Sequence, residues 1–397
     1  METLRELRQS SGVARCVSCG KCTSLCPLGT RRGFSARRIA GQEIEEELAG
    51  RGVGVGRCLT CASCETRCPE GVQFTKFVRG IRERMPPEAR RQPPHDGVFQ
   101  SVARSMTSDR NPDRRPEWLG DGLEVAETGE VALFVGCLPF FDIYFRDLAV
   151  DTLEIARSAV KLLNEAGIRP VIVPEERCCG HDLLWGGDRE GFEALARGNA
   201  ASFAERGVKR IVTTCAECCR TLRLDYPETV PGFRITVEHI SEFLAGQVKA
   251  GKLSFGSTEA ETLTFQDPCR LGRHLDVTQA PRDVLDAIPD ATVVEMKRSG
   301  RDAQCCGTSG FIHCDQASKD LQRQRLEEAA DTGAATLVTA CPKCLIHFRC
   351  AQDDEVRRGG EKNLQVQDFT VLAARSLQHH SDEESPADDR RETGEGR

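Results

Sequence analysis

The chain has no apolar run long enough to cross a bilayer. A membrane helix needs about 18–20 uninterrupted apolar residues, and the strongest stretch, Val131 to Val135, is only strand-sized. The opening Met1-Glu2-Thr3-Leu4-Arg5 carries charge and no apolar core, so no secretory leader is expected. Basic excess is missing as well. Lys and Arg number 54 against 61 Asp and Glu, a net charge of −7, which argues against nucleic acid as the main partner. A dinucleotide fingerprint is also absent. Gly52-Val53-Gly54-Val55-Gly56 has the wrong spacing and no strand before it, and Cys58 follows almost at once. It reads as a glycine turn that lets the backbone approach whatever Cys58 holds. Together these absences predict a cytoplasmic chain that meets a membrane only through a partner.

Cysteine, by contrast, is abundant, with 21 in 397 residues. Eight form two runs, Cys16, Cys19, Cys22, Cys26-Pro27 and Cys58, Cys61, Cys64, Cys68-Pro69. Ten form a longer pattern used twice: Cys137, Cys178-Cys179-Gly180, Cys215-x-x-Cys218, then Cys269, Cys305-Cys306-Gly307, Cys341-x-x-Cys344. Cys219, Cys314 and Cys350 are left over. Disulfide scaffolds are short chains without room for a core, whereas this one has length for two or three domains. Thiols in regular groups inside a reducing compartment point to metal.

The C-x-x-C-x-x-C-x-x-x-C-P run is the spacing of bacterial-type [4Fe–4S] ferredoxins, in which the fourth cysteine ligates the other cluster. One cubane is therefore expected on Cys16, Cys19, Cys22 and Cys68, the other on Cys58, Cys61, Cys64 and Cys26. Structural zinc is the weaker reading, because zinc sites pair two C-x-x-C knuckles. Between the runs, Ser35 can cap a helix carrying Ile39, Ile44 and Leu48 and stopped by Gly50, so residues 1–90 read as a helical ferredoxin domain. The basic pairs Arg31-Arg32 and Arg37-Arg38 form either a solvated helix face or a docking patch for an acidic electron carrier. The prolines from Pro86 to Pro94 break regular structure, and 91–129 reads as an irregular linker.

From Val131 the pattern changes. Val131–Val135, Val171–Val173 and Lys209–Thr214 look like strands, separated by helical stripes over Asp147–Ala166 and Arg189–Arg206. Thr262–Phe265, Thr292–Glu295 and Ala335–Thr339 repeat the strand order, with a helix over Gln316–Ala330. In both halves the cysteines follow strand C-termini, where open α/β sheets bind ligands. From the glycine of the vicinal pair to the next cysteine is 35 positions in the first half (180 to 215) and 34 in the second (307 to 341). This is a duplication. The fold expected is α+β and multidomain: the helical ferredoxin domain, then two duplicated parallel-sheet α/β cysteine-rich domains over 130–255 and 256–376. The charged segment 377–397 is expected to be a flexible tail.

Five thiols per repeat exceed the four of an ordinary cubane, and on these residues the chain resembles a known family. Val135-Gly136-Cys137, Cys178-Cys179-Gly180, Asp267-Pro268-Cys269-Arg270-Leu271-Gly272-Arg273-His274 and Cys341-Pro342-Lys343-Cys344 are similar to the CCG-domain proteins. The fusion with a two-cluster ferredoxin domain resembles the membrane-linked form of the catalytic subunit of heterodisulfide reductase. That resemblance implies a noncubane [4Fe–4S] cluster on all five cysteines of each repeat. It further implies a disulfide reductase whose two clusters face one cleft, each taking one sulfur of a small disulfide such as the coenzyme M–coenzyme B heterodisulfide. Electrons would arrive through the cubanes from a membrane cytochrome b, a flavoprotein or a ferredoxin. Protons would come from His181, His274 or Lys343. The same architecture serves as the iron–sulfur relay of flavin-dependent glycolate or glycerol-3-phosphate dehydrogenases, whose repeats often lose part of the C-x-x-C. Both pairs are kept here, which favours catalysis. Arg270 stands where many relatives have histidine.

Overall fold

The computed structural model describes residues 2–29, 34–41, 54–87, 90, 93–108, 118–256, 261–308, 314–360 and 364–377. The N-terminal part is helical, with helices Leu4–Ser10, Lys21–Leu25, Ala36–Gly41 and Phe74–Arg84. The last of these is its spine. It buries Phe74, Phe77, Val78 and Ile81, the i, i+3, i+4, i+7 stripe of an amphipathic helix, against Leu7, Val13, Leu28 and Val55. Burying each such side chain contributes about 1.5–3 kcal/mol. Ser35 Oγ accepts from Arg38 N at 3.3 Å, the expected cap. Ile44, Leu48 and Gly50, along with Arg31, Arg32, Gly52 and Val53, lie outside the described residues.

The segment read as an irregular linker contains a helix, Val98–Ser105. Phe99, Val102, Ala103 and Met106 are buried, again at i, i+3, i+4, i+7. Two turns are too few to stand alone, and the flanking prolines hid the stripe; packing against the helix His181–Gly186 holds it.

The first repeat is a parallel sheet in the order β1 (Val131–Phe134), β2 (Arg210–Thr213), β3 (Thr236–His239). Val171, expected within a strand, makes only isolated parallel bridges to Ala126 and Ala132 on the outer side of β1. The second repeat contains β4 (Glu261–Gln266), β5 (Ala291–Val293), β6 (Thr336–Thr339) and β7 (Gln365–Asp368), parallel in the order β5-β4-β6-β7. With Val171 standing where β5 stands, the two repeats share one topology. The strands β3 and β7 are not legible as strands in the sequence. Each has a single apolar residue in four, and each buries a polar one, His239 or Asp368.

The helix Thr152–Glu165 begins five residues later than the apolar stripe suggests, because Ala149 takes φ +54° and Asp151 Oδ1 caps Glu154 N at 2.9 Å. The helices Arg189–Glu205 and Gln316–Ala330 stand where expected. The repeats then exchange their closing helices. Ile240–Lys249, after β3, packs on Gln279–Leu285 of the second repeat, and Phe369–Arg375, after β7, packs on Thr152–Glu165 of the first. An antiparallel bridge between Phe255 and Leu377 ties the two chain segments together. One buried apolar cluster runs through the ferredoxin part and both repeats.

Candidate functional site

Cys26, Cys58, Cys61 and Cys64 line one small cavity of the helical domain. Cys16, Cys19, Cys22 and Cys68 line another, with Cys64 at its edge. The fourth cysteine of each run thus sits with the first three of the other. Ser18, Thr60 and Ala62 adopt left-handed backbone (φ +56°, +50° and +60°), which curls each run around its cavity. Thr60 N donates to Cys58 Sγ at 3.3 Å and Val72 N to Cys68 Sγ at 3.4 Å. Burial pushes the Cys26 thiol up to about 12 and Cys58 up to about 11. Such thiols ionise only beside a strong positive charge, which a metal supplies.

The ten cysteines of the repeats form one continuous line of neighbouring thiols, each acting on the ionisation of the next. It runs Cys137–Cys178–Cys179–Cys218–Cys215 within the first repeat. It crosses to the second through Cys215–Cys341, then continues Cys341–Cys344–Cys306–Cys305–Cys269. Cys305 also neighbours Cys61 of the ferredoxin run. Strand ends create this arrangement: Cys137 follows β1, Cys215 β2, Cys269 β4 and Cys341 β6. The vicinal pairs turn on Gly180 (φ +82°) and Gly307 (φ +95°). A Cβ on Gly180 would stand 2.7 Å from Phe192 Cδ2, and one on Gly307 2.7 Å from Ser318 O. Glu176 Oε1 pins the Cys137 loop by accepting from Val135 N at 3.0 Å and Gly136 N at 2.5 Å. Met106 Sδ accepts from Cys178 N at 3.0 Å, so the segment after Val98–Ser105 touches the first site directly.

Beside the crossing lies a buried ionic network. Glu217 and Lys343 occupy the same position in the two C-x-x-C motifs and pair at 2.7 Å. Lys343 Nζ also donates to both carboxylate oxygens of Asp182, at 2.6 and 2.5 Å. Burial alone would lower the lysine; Asp182 and Glu217 outweigh it and hold the ammonium well above the usual lysine range. His181 Nδ1 lies 3.2 Å from Asp182 Oδ1 and 3.2 Å from Glu217 Oε2, while its Nε2 accepts from Arg270 Nε at 2.9 Å. Arginine only donates, so the ring is the Nδ1–H tautomer. Burial keeps it neutral, its pKa well below the usual histidine value, with Arg270 and Lys343 acting the same way against Glu217. His274 Nε2 likewise faces Arg270 Nη1 at 2.8 Å, and burial and Arg270 lower its pKa too. His181, Asp182 and Glu217 could together ligate a cation, but the Lys343 ammonium already sits between the two carboxylates.

Arginines from the repeats clamp the second ferredoxin run. Arg270 donates to Thr60 O and, at 2.8 Å, to Thr60 Oγ1. Arg273 Nε donates to Cys61 O at 2.6 Å, and its Nη1 to Ala303 O. From the other side, Arg82 of the spine helix donates to Val55 O and Cys58 O at 2.7 Å and to Trp185 O at 3.0 Å. Trp185, fully buried, receives the guanidinium of Arg270 at 4.3 Å, of Arg220 at 4.8 Å and of Arg79 at 5.7 Å from its ring centroid. The ferredoxin part and both repeats meet here.

Cys219, Cys314 and Cys350 stay outside the thiol chain. Cys219 is buried, and Cys350 Sγ accepts from Lys319 Nζ at 3.1 Å. Asp182, Trp185, Glu217, Arg82 and Arg273 were not singled out by the sequence. The one available signal was the opposite charge of Glu217 and Lys343 at matching positions of the duplicated motif.

Residues 12–72 match the 4Fe-4S dicluster domain, and 131–223 and 263–349 match the cysteine-rich CCG domain. The site is therefore that of an iron–sulfur oxidoreductase built from a dicluster domain and two CCG domains. With these domains in this order the chain is similar, at moderate identity, to heterodisulfide reductase D-type proteins. It is 30% identical over 271 residues to the D-type component of the dihydromethanophenazine:CoB–CoM heterodisulfide reductase of Methanosarcina barkeri, covering 66% of this chain and 63% of that protein. It is 33% identical over 227 residues to a probable iron–sulfur-binding oxidoreductase, FadF, of Bacillus subtilis (56% and 32%). It is 30% identical over 226 residues to the EtfAB:quinone oxidoreductase of Syntrophomonas wolfei (54% and 30%). The match thus spans less than two thirds of these relatives' own length. Converging sulfur donors, all but Cys19 buried or partly buried, fit iron–sulfur clusters. No helix among the described residues is long and apolar enough to cross a membrane.

Proposed function

We propose that this chain is the catalytic part of a disulfide reductase of the heterodisulfide type. It takes two electrons and two protons to convert one disulfide into two thiols. The observation that supports this best is the unbroken line of thiols from Cys61 through Cys305 to the Cys215–Cys341 crossing, with all five cysteines kept in each repeat. Cys16, Cys19, Cys22 and Cys68, and Cys58, Cys61, Cys64 and Cys26, would hold two cubanes. Cys137, Cys178, Cys179, Cys215 and Cys218, and Cys269, Cys305, Cys306, Cys341 and Cys344, would each hold a noncubane cluster. Such clusters supply electrons one at a time to sulfur. The chain's own residues do the rest. Arg270 and Arg273 hold Cys61 beside Cys305, fixing where the domains exchange electrons. The Glu217–Lys343 pair fixes the two C-x-x-C turns against each other, so that two sites face one disulfide. His181, His274 and Lys343 are the residues near the crossing that would deliver the protons, His181 through its Nδ1–H. Lys343 is held as an ammonium by Asp182 and Glu217, so it gives up its proton less readily than a free lysine.

Anaerobically prepared, oxidised protein examined by EPR tests this. Candidate thiols, coenzyme M and coenzyme B among them, should perturb a cluster signal, and the matching disulfide should reoxidise the reduced protein. If neither happens with any thiol tried, the reductase reading fails. A relay for a flavoprotein is the second reading, motivated by the names of the Bacillus and Syntrophomonas relatives. It requires reoxidation by a flavoprotein and silence towards thiols.

A further inference from the structure

The rim of the first ferredoxin cavity differs from the rest of the thiol array. Among the described residues Cys19 is the one exposed cysteine of the 21. Val17 beside it is 61% exposed, a large apolar side chain in water. Three exposed cations surround them. Arg15 precedes Cys16, its Nη2 resting on Glu70 O at 3.2 Å; Arg37 reaches Ser18 O at 3.5 Å; Lys21 lies between Cys19 and Cys22. Among the described residues lining that cavity, Glu70 is the one acidic side chain, against Lys21 and Arg37. The face is thus locally basic on a chain whose net charge is −7.

We propose that this rim is the docking face for a small acidic protein that carries one electron at a time. The proposal rests on the reading that Cys16, Cys19, Cys22 and Cys68 hold a cubane, and on nothing about the final acceptor. An acidic carrier is repelled by the net charge of the chain and attracted to this rim, so charge both speeds the encounter and favours the face. Val17 then fills the centre of the contact and excludes water where the electron crosses, with the cations as a rim. In each transfer the carrier loses one electron and the cubane gains it; no bond or proton moves. In the other run of the same domain, Cys61 lies against Cys305, so the second cavity, not this rim, adjoins the repeats.

The test is stopped-flow reduction of the cluster-loaded chain by a reduced acidic ferredoxin with no disulfide present. The double variant Lys21→Glu/Arg37→Glu is compared with Lys249→Glu/Lys252→Glu, which makes the same change of net charge on exposed residues of the first repeat. At low ionic strength the rim variant should react at least about tenfold more slowly than wild type, with the difference fading towards about 0.5 M salt. The control should stay within about twofold of wild type. A photoreduced deazaflavin should reduce all three equally, which reports an intact cubane. No reduction of wild type by the ferredoxin, a rate independent of salt, or equal slowing in both variants would overturn the proposal. Because cluster bleaching is read without any disulfide, the result is independent of whether the chain proves to be a reductase.

Discussion

Replacing Lys343 by methionine tests the ionic wall between the repeats. Methionine keeps much of the stem that packs over Phe99, whose ring lies 4.7 Å from Nζ, and removes only the ammonium. Asp182, Glu217, Lys343 and Arg270 together sum to zero charge, so the variant leaves one buried negative charge uncompensated. Ion pairs at 2.5–2.7 Å are strong in a low dielectric, yet desolvation of the charges offsets most of that gain. The measurable quantity is the cost of the orphaned carboxylate, about 3–5 kcal/mol. At an m value of about 3 kcal/mol/M, the urea midpoint falls by about 1 M or more. The orphan's pKa in the folded variant then rises above its unfolded value. Stability contributed by its protonated form is present at low pH and lost as pH rises through the raised pKa. The deficit should therefore be smaller at pH 5.5 than at pH 8, changing by up to about 1.4 kcal/mol per pH unit. Trp185 fluorescence under anaerobic conditions is the probe, and Lys343→Met/Glu217→Gln should recover part of the loss. A deficit below about 1 kcal/mol, identical at both pH values, would refute the view that this lysine holds the two halves together.

Three further outcomes can be checked with the same preparations. Asp368, its Oδ2 buried without a hydrogen-bond partner, is pushed up to about 7 by burial. Its raised folded pKa makes wild-type stability fall between about pH 4 and pH 7 relative to Asp368→Asn, which keeps the cap on Thr370 N, and run parallel above that; paired urea titrations at pH 5 and pH 8 measure the difference. Gly307→Ala places a Cβ 2.7 Å from a backbone carbonyl at φ +95°, whereas Gly180→Ala meets only a side chain at that distance. Both should lower the iron content of their repeat, Gly307→Ala more, with a backbone cost of about 1–3 kcal/mol. Cys61→Ser should leave the signals of the repeat clusters in place while stopping their reduction through the ferredoxin domain, as rapid-freeze EPR would record.

Much of the architecture was legible because it rests on local spacing. The C-x-x-C runs, the vicinal Cys-Cys-Gly turns and the stripes of Arg189–Glu205 and Gln316–Ala330 are short-range patterns that the chain must satisfy wherever it folds. What escaped depends on distant partners. The strand β3 carries His239 buried against Thr214 O, and β7 buries Asp368, so both break the alternation that marks a half-buried strand. The helix Val98–Ser105 is stable only against His181–Gly186, some eighty positions on. Arg270, noted only as a departure from the usual histidine, turns out to touch His181, His274, Thr60 and Trp185. No spacing rule joins positions 60, 181 and 270.

The exchange of closing helices has a consequence for how the molecule is made. The helix Phe369–Arg375 follows every cysteine in the chain, yet it covers Thr152–Glu165 of the first repeat. Likewise Arg270 and Arg273 are synthesised some two hundred residues after the Cys58–Cys64 loop they fasten. The first repeat is therefore not covered over Thr152–Glu165 until synthesis has passed β7, nor the Cys58–Cys64 loop fastened until Arg273 has been made. Assembly of the metal centres should therefore wait for the last helix. A truncation just before Phe369, which spares all 21 cysteines, should be as damaging to them as the loss of a ligand.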